Sequence, residues 1–198
     1  MVTGEAKGRK LKTLKTMSGT RPIMDRVKTA LFDILYDEVR GARFLDLFAG
    51  TGGVGIEALS RGAAHATFIE MDSKILKLVR ENLQITKLAD RAETLQADAF
   101  KFLQKNISPT NQKHVYDIVY VAPPQYHEMA DRALTLLDSS PLVADDGLII
   151  IQIHPKERAG VAAVPCKRLV LTDERRYGST LLMFYRATKK EESTNSDT

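Results

Sequence analysis

Apolar residues recur along this chain in two rhythms, short continuous runs and helical stripes, and the two alternate. Asp25 to Val39 carries Val27, Leu31, Ile34 and Leu35 at helical spacing, which predicts an amphipathic helix with Asp25 as its N-cap. Arg43 to Phe48 predicts a buried strand, and Val54 to Arg61 the helix after it. Thr67 to Glu70 reads as the next strand, followed by a helix from Ser73 to about Thr86 with Ile75, Leu76, Val79 and Leu83 on one face. Glu93 to Gln96 and Ala99 to Lys105 repeat the strand and helix. Asp117 to Val121 is a fourth strand, stopped at Ala122-Pro123-Pro124 because proline cannot continue a central ladder. Glu128 to Asp138 reads as helix and Gly147 to Ile153 as a strongly apolar fifth strand. Lys167 to Leu171 and Thr180 to Arg186 flank Tyr177-Gly178 and predict a closing antiparallel pair. Such alternation predicts an α/β fold, a mostly parallel sheet covered by helices on both faces, with ligands at the carboxyl ends of the strands.

Length and charge refine this picture. At 198 residues the chain suits one domain with appendages. The expected division is a basic N-terminal arm over 1–24, with a hairpin around Gly4 and Gly8, a main domain over 25–188, and a disordered polar tail over 189–198. Residues 1–28 hold eight Lys and Arg against Glu5 and Asp25, which makes that segment strongly basic in a chain of net charge +4. A basic arm on a near-neutral domain suits a polyanion, because each neutralised phosphate releases counterions. Lys7, Arg9, Lys10, Arg21 and Arg26 are the candidate contacts to such a polyanion. Apolar runs such as Gly147 to Ile151 are too short to span a bilayer, so no membrane association is expected. No secretory signal is evident, and a cytoplasmic location is expected, or a plastid if a transit peptide has been removed. Cys166 is the single cysteine, and His65, His114, His127 and His154 lack ligand spacing, so no metal is expected.

The richest chemistry lies where the first strand turns through glycines into a helix. Gly50-Thr51-Gly52-Gly53-Val54-Gly55 satisfies the dinucleotide pattern G-x-G-x-x-G, with Glu70 twenty residues on, so a nicotinamide-dependent oxidoreductase is one alternative. Asp46 discriminates better. A carboxylate is awkward beside a pyrophosphate but suits the ammonium of S-adenosyl-L-methionine. Glu70 at the next strand end would accept both ribose hydroxyls, and Asp98 past the third would accept from an adenine amine. Phe48, Gly50, Gly52, Met71 and Ala99 complete the candidate cofactor set.

Asp46-Leu47-Phe48-Ala49-Gly50-Thr51-Gly52 with Gly55-Ile56-Glu57-Ala58-Leu59-Ser60-Arg61-Gly62-Ala63 resembles the cofactor segment of the RsmD family, bacterial 16S ribosomal RNA guanine-N2 methyltransferases. Gly4-x-x-Lys7-Gly8-Arg9-x-Leu11, Thr20-Arg21-Pro22-x-x-Asp25-Arg26-Val27-Lys28-x-Ala30-Leu31-Phe32-x-Ile34-Leu35 and Tyr177-Gly178-x-Thr180 extend the resemblance through residue 186. It implies a seven-stranded Rossmann-like methyltransferase sheet, mostly parallel with a C-terminal antiparallel hairpin. It also implies S-adenosyl-L-methionine as methyl donor and, as substrate, ribosomal RNA or a small-subunit assembly intermediate. A monomer is expected.

Family members place an Asp or Asn, then Pro-Pro-Tyr, after the fourth strand: side-chain oxygen and backbone carbonyl accept from the guanine amine, and the aromatic stacks on the base. By that resemblance Ala122, Pro123, Pro124, Gln125 and Tyr126 are the candidate catalytic residues. Ala122 has no side-chain acceptor, and Gln125 is an extra residue before Tyr126. Two expectations follow: an enzyme in which backbone carbonyls and the Gln125 amide oxygen hold the amine, or a catalytically impaired homologue that binds cofactor and RNA.

Overall fold

The computed structural model describes residues 1, 3–13, 25–106, 115–125 and 128–189. Seven strands form one sheet: β1 (Arg43–Asp46), β2 (His65–Glu70), β3 (Ala92–Gln96), β4 (Tyr116–Val121), β5 (Val143–Ile153), β6 (Leu169–Tyr177) and β7 (Thr180–Ala187). Their order is β3-β2-β1-β4-β5-β7-β6. β1 to β5 pair in parallel, while β7 runs antiparallel to both β5 and β6. The strand order therefore reverses between β1 and β4, and in an open α/β sheet the crevice at such a switch point is the favoured ligand site.

Each strand feeds both faces because successive side chains alternate. Phe44, Phe68, Ile118, Tyr120 and Ile150 face α1 (Asp25–Leu35), α2 (Gly53–Ser60) and α3 (Ser73–Thr86). Leu45, Ile69, Val119 and Ile151 face α4 (Ala99–Lys105), α5 (Met129–Asp138) and α6 (Arg158–Ala162). Across β1, β2, β4, β5 and β7 both faces are mostly buried, so these strands read as apolar runs rather than as alternation, while the edge strands β3 and β6 are half-exposed.

Local differences from expectation have physical causes. The first helix stops at Leu35 and tightens into a 3-10 turn over Tyr36–Val39, and Ile34 of the predicted apolar face is 38% exposed while Phe32 is buried. Among the described residues of the arm no hairpin strands form: residues 3–8 form bends and turns packed on α2. A Cβ on Gly4 would lie 1.8 Å from the Ser60 carbonyl oxygen, and the Ala6 amide donates to Ser60 Oγ at 2.9 Å. Gly4 serves close approach to a helix. The predicted tail is outside the described residues from 190 onward.

Among the described residues no helix is long and apolar enough to cross a membrane, and no three His, Cys, Asp or Glu side chains are grouped to hold a metal ion.

Candidate active site

At the reversal between β1 and β4 lies a cavity of about 440 Å³. Its floor is Asp46 at the end of β1 and Tyr120 in β4. One wall is the turn Phe48 to Thr51, another is Ala122 to Gln125, and Asp25 and Lys28 of α1 with Lys10, Leu11 and Thr13 close the top. Asp46, Phe48 and Gly50 are thus brought together with Ala122, Pro123, Pro124 and Gln125, residues more than seventy positions apart. A volume of this size suits a drug-sized ligand.

Asp46 is 1% exposed, and its Oδ2 accepts from the Gly55 amide at 3.1 Å. Its other oxygen has no donor among the described residues. Burial pushes the carboxyl up to about 7, the Gly55 amide opposes this, and the nearby Glu70 charge adds to it. A buried carboxylate with an open oxygen is a receptor for a cation.

Two glycines shape the turn for different reasons. Gly52 is left-handed (φ 79°) at the N-cap of α2, where glycine carries no steric penalty. Gly55 lies inside α2, and a Cβ there would be 2.4 Å from the Phe68 ring and 3.2 Å from Asp46 Oδ2. Gly55→Ala is expected to overpack this floor, destabilising the fold by about 1–3 kcal/mol and weakening ligand binding at Asp46. Thermal unfolding with and without ligand checks this; an unchanged melting temperature would show that the Phe68 ring gives way freely.

Glu70 ends β2 with both oxygens engaged, Oε2 accepting from the Gly50 amide at 3.0 Å and Oε1 from the Asp72 amide at 2.9 Å. Asp98 is the N-cap of α4, accepting from the Lys101 amide at 2.8 Å. Neither lines the cavity, nor do Met71, which is 67% exposed, and the buried Ala99. These four sit along the ends of β2 and β3, where an elongated ligand anchored at Asp46 would extend. Phe48 packs edge-on against Phe100 of α4, ring centroids 5.9 Å apart.

Among the basic residues, Lys7, Lys10 and Arg26 are exposed, with Lys10 also at the cavity. The Arg9 guanidinium donates to the carbonyls of Ile85 and Thr86. It caps the C-terminal end of α3, where a cation also complements the helix dipole. Arg21 and Tyr126 lie outside the described residues.

Three lining residues carry no signal strong enough to have been picked out from sequence. Lys28 is buried on the cavity wall, its Nζ 3.3 Å from Asp25 Oδ1 and 3.8 Å from Glu57 Oε2. The others are Tyr120 and Gln152 of β5. Gln152 had a faint mark, as the sole polar residue in Leu148–Ile153.

A family model described as conserved hypothetical protein 95 matches residues 1–186. The Bacillus subtilis protein YlbH is 34% identical over 186 residues, covering 94% of this chain and 97% of its own. Ribosomal RNA small subunit methyltransferase D of Haemophilus influenzae is 36% identical over 153 residues, 77% of each chain. Among solved structures, yhhF of Escherichia coli superposes with a TM-score of 0.81 at 32% identity, across 96% of this chain and 98% of that one.

Proposed function

The chain belongs to the family of conserved hypothetical protein 95, the RsmD family, and from that membership and the cavity's geometry we propose an S-adenosyl-L-methionine-dependent rRNA methyltransferase acting on the N2 amine of a guanine in the small subunit. One observation carries the reading: the buried carboxylate of Asp46 and the Ala122–Gln125 turn are walls of one cavity. A donor anchored at the first and an amine presented at the second would meet inside it. Membership in this family and a carboxylate floor both argue against the dinucleotide alternative.

When bound, S-adenosyl-L-methionine supplies a methyl group on a positively charged sulfur. Asp46 holds the ammonium through its open oxygen. Gly50, where a Cβ would meet nothing within 4 Å, lets the ligand approach the backbone, Gly52 sets the left-handed turn that places it, and Glu70 takes the ribose hydroxyls on lone pairs left free by its two amide donors. Exposed Met71 and the buried Ala99 flank the adenine, and Asp98 accepts from its amine. The guanine amine is a poor nucleophile, since its lone pair is delocalised into the ring. It is oriented by the carbonyls of Ala122 and Pro123, with the Gln125 amide oxygen reaching in from the rim and Tyr126 stacking on the base. The gain is positional, from holding reacting atoms about 3–3.5 Å apart. The base enters unpaired or flipped. Lys7, Lys10, Arg21 and Arg26 hold RNA phosphates, while Arg9 acts through the helix it caps.

A second reading, cofactor and RNA binding without transfer, rests on Ala122. Incubation with labelled S-adenosyl-L-methionine and either deproteinised ribosomal RNA or immature small subunits decides. Label on guanine N2 is expected; no incorporation with normal cofactor binding supports the second reading. Reversing Lys7 and Lys10 to Glu is expected to weaken RNA binding and lower the slope of log affinity against log salt by about two. An unchanged affinity and slope would remove the arm from the RNA site.

A further inference from the structure

Beside Ala122 lies a polar pair to which the reading above gives no task. Tyr120 is 2% exposed, and its hydroxyl donates to Gln152 Oε1 at 2.5 Å. The parallel register of β4 and β5 ends with Val121 opposite Ile151, so Ala122 and Gln152 follow as neighbours at the two strand ends, and both line the cavity. Burial first, and the charge of Asp46 second, hold the Tyr120 phenol well above its ordinary pKa, so the hydroxyl stays protonated and donates.

That bond fixes the amide plane. With Oε1 turned to Tyr120, the two N–H groups of Gln152 Nε2 point the other way, and they donate to no group among the described residues. The methyl group of Ala122 offers them no acceptor. The strand end next to the catalytic turn therefore offers an oriented donor, not an acceptor. Every nucleobase amine is flanked by a ring nitrogen with a free lone pair, and a base offering that atom satisfies the donor. A base lacking it leaves the amide unpaired, and such mismatches are how polar sites discriminate.

We propose that Gln152 is a base-recognition residue whose Nε2 donates to the ring nitrogen beside the amine to be methylated, N3 where the base is guanine. This rests on the methyltransferase reading, and makes Tyr120 the residue that positions the amide.

Gln152→Glu tests it, because the variant keeps an oxygen for Tyr120 and loses both donors. A fall of roughly tenfold in kcat/KM on ribosomal RNA is expected, with the affinity for S-adenosylhomocysteine unchanged. Independently of transfer, ligand-observed NMR with S-adenosylhomocysteine present compares guanosine monophosphate with its 3-deaza analogue. The wild type is expected to favour guanosine monophosphate and Gln152→Glu to bind the two alike. Tyr120→Phe, which lets the amide rotate, is expected to raise KM more than it lowers kcat. An undiminished kcat/KM in Gln152→Glu, or no preference in the wild type, overturns the assignment. Wild-type preference without any methyl transfer would instead sink the methyltransferase reading and leave Gln152 a base-recognition residue of a non-transferring protein.

Discussion

Replacing Ala122 with aspartate is expected to speed methyl transfer by ~10²–10³-fold while leaving cofactor affinity unchanged. Position 122 directly follows β4, is half-buried and faces the cavity, so a side chain added there is held by the strand. A preorganised group gains its effect by needing no reorganisation as charge shifts in the transition state. Gln125 is exposed, and its amide must be ordered from solvent on each turnover, which makes it a poorer substitute. The added carboxylate is also placed to accept from Gln152 Nε2, which would hold it in the cavity. Single-turnover transfer of labelled methyl separates chemistry from binding. Ala122→Asn adds an acceptor without charge and is expected to gain as well. If both variants transfer at the wild-type rate, the amine is not held at this position.

Much of this arrangement was legible in the sequence, for a reason particular residues make plain. Asp46 stood out because a carboxylate ending an apolar run just before a glycine turn has no role in the core. The helix Ser73–Thr86 and the succession of strands and helices along the chain followed from local periodicity, which nearby residues settle among themselves. β6 was read too short because its outer half, Thr172-Asp173-Glu174-Arg175-Arg176, lies at the sheet edge where polar residues are tolerated. β5 begins at Val143, ahead of the expected Gly147, because Asp145 and Asp146 are exposed and Asp146 is left-handed (φ 62°), which masks the strand pattern. The pairing of Gln152 with Tyr120 depends on parallel register across thirty-two residues, and no local pattern encodes that. Arg9 misled in the opposite direction: its charge suggested a polyanion, yet its partners are backbone carbonyls of a helix distant in sequence.

Asp46→Asn is expected to change stability and cofactor affinity in opposite directions. In the ligand-free protein the carboxyl is raised from 3.8 to about 7, chiefly by burial. A group raised on folding contributes stability that is fully present below its unfolded value near 3.8 and is lost as pH climbs through about 7. By pH 8 the ionised Asp46 has removed at most about 4 kcal/mol. Asparagine can still accept from the Gly55 amide, but it carries no charge to bury. The variant is therefore expected to match the wild type near pH 4 and to melt higher at pH 8. Its affinity for S-adenosyl-L-methionine is expected to fall by ~10²-fold or more, because the ligand's ammonium loses its buried partner. For the same reason wild-type affinity should rise as pH passes about 7, where the empty site ionises, and that rise should vanish in the variant. Calorimetric titration and thermal melts from pH 5 to 8 measure both effects. Cofactor affinity surviving in Asp46→Asn would move the ammonium site elsewhere. A melting temperature that fell at pH 8 would mean that Asp46 is paired in the ligand-free protein, so that its charge supports the fold.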